Sequence, residues 1–268
     1  MDNSPRGWDN DSMPNRMQIA SSDPSLLDKA TRVAESFAAR FMRDDMAGIA
    51  FLGAVARGYF DRFADIDIAL FTRNTPDGLA LPQCLQVDGF EVHPHVACID
   101  DEMTSTWDMP KRWAFSESRI FHDPEGRISG LLREKVPLRP EERRWLLISG
   151  ITLSEWYINR LASAWIERGS IVSAHSMFNE GLNHFTTMLF SLNNQLVADH
   201  KWRYYYAERL EVVPSDFGLR MRNVMELNAF TTEEIRRRQD DFMGMWRQML
   251  PLVEKDVRMN YEDFKNTV

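Results

Sequence analysis

Gly53-Ala54-Val55-Ala56-Arg57-Gly58-Tyr59-Phe60-Asp61-Arg62-Phe63-Ala64-Asp65-Ile66-Asp67-Ile68-Ala69-Leu70 is the stretch from which the rest of the chain is read. Just before it, Ala47 to Leu52 is a short apolar run with the length of a buried strand. Gly53 and Gly58, with only Ala54 to Ala56 and Arg57 around them, predict a tight turn where backbone comes close to a ligand. Charge and aliphatic residues then alternate from Asp65 to Leu70. A strand's side-chain period of two sends Ile66, Ile68 and Leu70 to the core and puts Asp65 and Asp67 together on the opposite face. Paired carboxylates on one strand face can bracket a hard divalent cation, which takes oxygen ligands. Backbone N–H groups beside such an ion are what triphosphate chemistry requires.

At these residues the chain resembles the nucleotidyltransferase superfamily of DNA polymerase beta. More narrowly, it resembles the small bacterial enzymes that adenylylate aminoglycoside or lincosamide antibiotics. Their pattern is an apolar strand, Gly-Ser, a spacer, and Asp-x-Asp flanked by aliphatics, with a third acidic residue on a later strand. Gly53, Asp65 and Asp67 match it. Two positions depart from it. Ala54 replaces the usual serine and leaves phosphate contacts to backbone amides, and Ala64 stands where serine commonly precedes the first aspartate.

The resemblance implies an α+β fold, with a nucleotidyltransferase-type mixed sheet and flanking helices followed by a C-terminal α-helical bundle. It implies Mg²⁺ held by Asp65, Asp67 and a third acid, ATP as the AMP donor, and a small-molecule hydroxyl as acceptor. Glu91 is the candidate third acid. It lies on the second arm of a hairpin announced by Asp88-Gly89 between alternating runs, and as a catalytic group it could deprotonate the acceptor. Glu91, His93 and His95 share one face of that arm. The histidines are read as rim residues, because tetrahedral zinc needs further ligands and neither cysteine is obviously placed for it.

Nucleotide contacts are expected from Gly53, Ala54, Arg57 and Lys201. On a long greasy helix, His175, Asn179 and Asn183 recur four apart with Glu180 and His184 beside them. His175, Asn179, Glu180 and Asn183 are the acceptor-binding candidates, with the capping of neighbouring helices as the alternative.

Composition sets the outer limits. The chain has 268 residues and 44% hydrophobic content, enough for a substantial core. Its net charge of −8 argues against long nucleic acid as the main partner. No run approaches a membrane span, and no basic-then-apolar leader opens the chain. Cys84 and Cys98 have no metal spacing and suit a reducing cytoplasm.

Three segments are expected: a disordered 1–22, a nucleotidyltransferase domain over 23–137, and a helical acceptor-side domain over 138–268, in a monomer or homodimer. Asp23-Pro24 opens the first helix, which runs to about Met42. Arg119 to Ile128 reads as a strand and turn. Long helices follow over 141–168 and 171–196, and Thr231 with Glu234 starts a last one to about Val257. Three other functions fit the chain: adenylylation of a protein or RNA, as in toxin–antitoxin relatives; nucleotide binding without chemistry, for which Ala54 is the hint; and a purely structural helical interaction module that binds no nucleotide.

Overall fold

The computed structural model describes residues 19–74 and 81–268. Most of the segment expected to be disordered and most of the polar loop expected over 73–78 lie outside the described residues. The described end of the first is tied down. Ser21 Oγ donates to Asp61 at 2.5 Å, and Ser22 Oγ accepts from the Phe60 amide at 3.3 Å.

The chain divides into two compact units, up to Val136 and from Pro137 to Val268. The first holds a five-stranded mixed sheet, and the second is helical. The chain is therefore α+β.

Helix α1 (Pro24–Ala39) starts where the sequence signals it, with Asp23 accepting from the Ser25 and Leu26 amides. It ends before Met42. Strand β1 (Met46–Phe51) is buried throughout. The Gly53 stretch that reads as a turn is a short helix, α2 (Gly53–Arg57), closed by Gly58 in the left-handed region. Strand β2 (Ile66–Thr72) carries the alternating run. Strands β3 (Leu85–Val87) and β4 (Phe90–Cys98) form the expected hairpin, and Asp88 and Gly89 both take positive φ at its tip.

Helices α3 (Ile99–Thr104) and α4 (Met109–Ser116), strand β5 (Arg119–His122) and helix α5 (Arg127–Lys135) complete the unit. The acidic segment at 100–102 is thus helical. Its Glu102 is engaged by Lys111 at 2.6 Å and by the Trp107 indole N–H. Asp123 is a turn residue and also caps α5, accepting from the Ile128 and Ser129 amides.

The sheet order is β3-β4-β2-β1-β5. β2 runs parallel to β4, and the other pairings are antiparallel. Ile66, Ile68 and Leu70 are fully buried, each worth about 1.5–3 kcal/mol of transfer free energy. α1 packs against β2 and β4. On the opposite parity, Ala69 and Phe71 join Ala47, Trp107, Phe115, Ile128 and Leu131 in an apolar cluster. Asp65 and Asp67 share that second parity, so the carboxylates stand at the end of a face whose remainder is core.

The second unit opens with α6 (Pro140–Glu155), which passes through a π-helical turn at Trp156–Leu161 into α7 (Ala162–Glu167). A break at Gly169-Ser170 precedes α8 (Ile171–Leu192), four residues shorter than expected. Gly150 lets α6 approach α8 closely, since a Cβ there would sit 2.7 Å from Met188 Cβ. Two short helices that carried no clear sequence signal follow, α9 (Arg203–Ala207) and α10 (Phe217–Met225). The Thr231-capped α11 runs Thr232–Val257, and α12 is Tyr261–Phe264. Among the described residues, no helix is long and apolar enough to cross a membrane.

Candidate metal centre

β2 delivers Asp67 and α2 clears the space over it. Gly53 has φ +56, and a Cβ built there would collide with Asp67 Oδ2 and lie 3.3 Å from its Cγ. Glycine is required twice, by the left-handed backbone and by the carboxylate resting against it. The Leu52 amide also donates to the Asp67 carbonyl at 3.0 Å, locking the start of α2 to β2.

The parallel register sets Asp67 opposite His93 and Ala69 opposite His95. Asp65, Asp67 and His93 accordingly each offer a ligand atom within 4.8 Å of the others. His93 Nδ1 is 3.8 Å from Asp65 Oδ2, and His95 Nε2 is 3.4 Å from Asp67 Oδ1. The hydrogen bond to Asp67 raises the His95 pKa above the ordinary imidazole value, against partial burial. Nearby Tyr59 is pushed up to about 12, chiefly by burial.

The structure does not bring Glu91 into the Asp65–Asp67 group. Glu91 sits one repeat earlier on β4, where its Oε1 accepts from His93 Nε2 at 2.7 Å. That contact is the main cause holding the Glu91 carboxyl below its usual range. Glu91 groups instead with Cys84 and His93, three ligand atoms again within 4.8 Å. Cys84, which sequence spacing gave no reason to place here, has its thiol pKa raised by desolvation and by the Glu91 carboxylate. The alternation of Glu91, His93 and His95 was visible in the sequence. The register deciding which of them faces Asp67 was not.

The expected nucleotide contacts fall in both units. Gly53 lies against the Asp67 carboxylate, and Ala54 is buried behind it in α2. Arg57 is turned elsewhere: only 6% exposed, it pairs with Glu117 at 3.2 Å, donates to the Trp113 carbonyl and stacks 3.9 Å from the Trp113 ring. Its guanidinium is thus engaged by α4 and Glu117. Lys201 belongs to the second unit, in an exposed turn where its amide donates to Asp199 at 3.1 Å.

The acceptor candidates all lie on α8 and differ in burial. His175 is buried, and its Nδ1 accepts from Arg238 Nη1 at 2.8 Å. Burial and the Arg238 charge lower its pKa. Within its own unit it is a packing residue. Asn179 and Glu180 remain exposed on α8, while Asn183 contacts Glu180 at 3.3 Å and Arg203 at 3.4 Å.

The donor set of two carboxylates and an imidazole around one small space fits a divalent cation. No protein-family model matches the chain, and no curated protein matches it. Among solved structures, the chain is similar to a nucleotidyltransferase-like protein from Exiguobacterium sibiricum 255-15. The two are 12% identical, with a TM-score of 0.46 over 86% of this chain and 78% of that one.

Proposed function

We propose that the protein is a metal-dependent nucleotidyltransferase that moves AMP from ATP to a hydroxyl of a small molecule, an aminoglycoside or lincosamide being the class to screen first. The observation that carries the reading is the Asp67 carboxylate resting against the Gly53 bend with Asp65 and His93 grouped beside it. Asp65, Asp67 and His93 would hold the ion, which when bound neutralises triphosphate charge and aligns the α-phosphorus for attack.

The chain's own part is positional. Gly53, having no Cβ, lets the Asp67 carboxylate rest against the start of α2, which holds it beside Asp65 and His93. In the reaction, the acceptor oxygen forms a bond to the α-phosphorus and the bond to the bridging oxygen breaks. Pyrophosphate leaves, and the hydroxyl proton passes to the carboxylate face, where Asp65 is more open to water than Asp67.

The test is pyrophosphate release from ATP across a panel of hydroxylated antibiotics, with Asp67→Asn as control. Release that falls to background in the variant, with an unchanged circular dichroism spectrum, supports the reading. Release that persists at the wild-type rate overturns it. One observation favours a second reading: Ala54 supplies no hydroxyl to a phosphate, as expected of a nucleotide-binding protein without chemistry. Calorimetric binding of metal–ATP with no release from any acceptor would establish that case.

A further inference from the structure

We infer that His93 is the third protein ligand of the metal centre, through Nδ1, with Glu91 as its positioning residue, and that the site therefore prefers Co²⁺ or Zn²⁺ to Mg²⁺. The inference rests on the metal-dependent reading above.

Hydrogen bonding fixes the chemistry of the ring. A carboxylate can only accept, so the 2.7 Å contact between Glu91 Oε1 and His93 Nε2 places a proton on Nε2. In the neutral ring this leaves the Nδ1 lone pair free, and Nδ1 is the nitrogen facing Asp65 at 3.8 Å. That distance is too long for a hydrogen bond. It is close to the separation of about 3.4 Å between two ligand atoms of a tetrahedral ion with ordinary Zn–N and Zn–O bonds. Glu91, His93 and the ion would then form a carboxylate–histidine–metal relay, in which the outer carboxylate fixes the tautomer and raises ligand basicity.

Donor type sets the preference. Mg²⁺ favours oxygen ligands in near-ideal octahedra, whereas imidazole suits later first-row ions. Replacing a third carboxylate by imidazole also removes one negative charge, which penalises the hard ion most. The competing group, Cys84 with Glu91 and His93, would draw Glu91 into the ion's own shell and away from its hydrogen bond to His93.

The experiment titrates the metal-free full chain, without nucleotide, with Mg²⁺ and Co²⁺ by calorimetry. It also follows the visible spectrum of the Co²⁺ form and the imidazole ¹⁵N resonances on Zn²⁺ addition. Co²⁺ binding at least about tenfold tighter than Mg²⁺ is expected, with the His93 Nδ1 resonance moving. His93→Asp should shrink the Co²⁺/Mg²⁺ ratio by about tenfold or more, and Glu91→Gln should weaken Co²⁺ binding by about 10- to 100-fold without moving Tm.

A ratio unchanged in His93→Asp, or ¹⁵N resonances indifferent to Zn²⁺ in the wild type, overturns the assignment. An intense near-ultraviolet thiolate band that Cys84→Ser abolishes overturns it too, by placing the ion at the other group. Tight Co²⁺ binding through His93 with no transfer to any acceptor would sink the transferase reading alone. Mg²⁺-supported turnover indifferent to His93→Asp would sink this inference alone.

Discussion

Gly53 lies directly against the carboxylate of Asp67, so close that a single methyl group on Gly53 would collide with Oδ2. The relationship joins backbone conformation to chemistry, since φ +56 at Gly53 starts α2 while the missing side chain leaves Asp67 its place. Gly53→Ala should therefore fail on both counts. The left-handed backbone costs about 1–2 kcal/mol for a residue with a Cβ, and the collision adds to it. A Tm drop of about 4–8 °C is expected, together with loss of metal binding. Gly53→Ala combined with Asp67→Ala should be more stable than the two single effects summed, by about 1 kcal/mol, because the second change removes the collision. Additive thermal shifts would show that Asp67 moves aside freely.

Arg57 tests how much of its burial is structural. Arg57→Met should destabilise the first unit by about 2–3 kcal/mol, since it removes a stacked cation and leaves the Trp113 carbonyl without this donor. Metal affinity should stay within about twofold, as for a surface-remote packing change. Thermal unfolding and calorimetry on the same variant separate the two effects. Unchanged stability with a weakened ATP affinity would return Arg57 to phosphate binding.

The strand parities, the hairpin and the caps at Asp23 and Thr231 were legible because each depends on neighbours within a few residues. Ile66, Ile68 and Leu70 advertise their burial by alternation alone. The register of β2 on β4 was not legible, because a parallel pair is joined through distant chain and any offset of two residues preserves the alternation. Glu91 was therefore the natural candidate where His93 lies opposite Asp67. The stretch after Gly53 fooled the turn reading for a different reason. Ala54, Val55 and Ala56 complete one helical turn between two positive-φ glycines, and glycine punctuation looks the same in either case. The burial of Arg57 was not legible either, because an arginine beside an anion-binding turn and one packed on tryptophan look the same in sequence.

His175 and Arg238 should behave as one packing unit. Arg238 is 3% exposed, donates to the Val224 carbonyl at 2.5 Å and to His175, and lies over Phe178. Arg238→Ala leaves buried acceptors unpaired and should cost about 3 kcal/mol. Lysine should not rescue it, because one ammonium cannot replace the planar fork. Asn179→Ala, which removes only a 3.5 Å acceptor of Arg238 Nη2 on the exposed side of α8, should cost less, about 0.5–1 kcal/mol. Denaturant unfolding followed by far-ultraviolet circular dichroism reads both. Near-neutral Arg238→Ala would restore His175 as a free polar group.

Acid stability offers the last test. The Arg237 guanidinium, 2.7 Å from Glu234 Oε1, pulls the Glu234 carboxyl from 4.5 down to about 2, with the Asn228 amide helping and desolvation opposing. A carboxyl whose folded pKa is depressed stabilises the fold above its unfolded pKa, and that contribution fades as pH falls toward the folded value. The window therefore runs from 4.5 down to about 2. Asp256, lowered mainly by its contact with Arg143, acts with the same sign. Glu234→Gln keeps the Thr231 cap, which is made to the backbone amide of residue 234, but no longer titrates. Plotted against pH through that window, the Tm of the wild type should fall more steeply than that of Glu234→Gln, and the two curves should converge near the lower end. Parallel curves would mean that the Glu234–Arg237 contact does not form in solution.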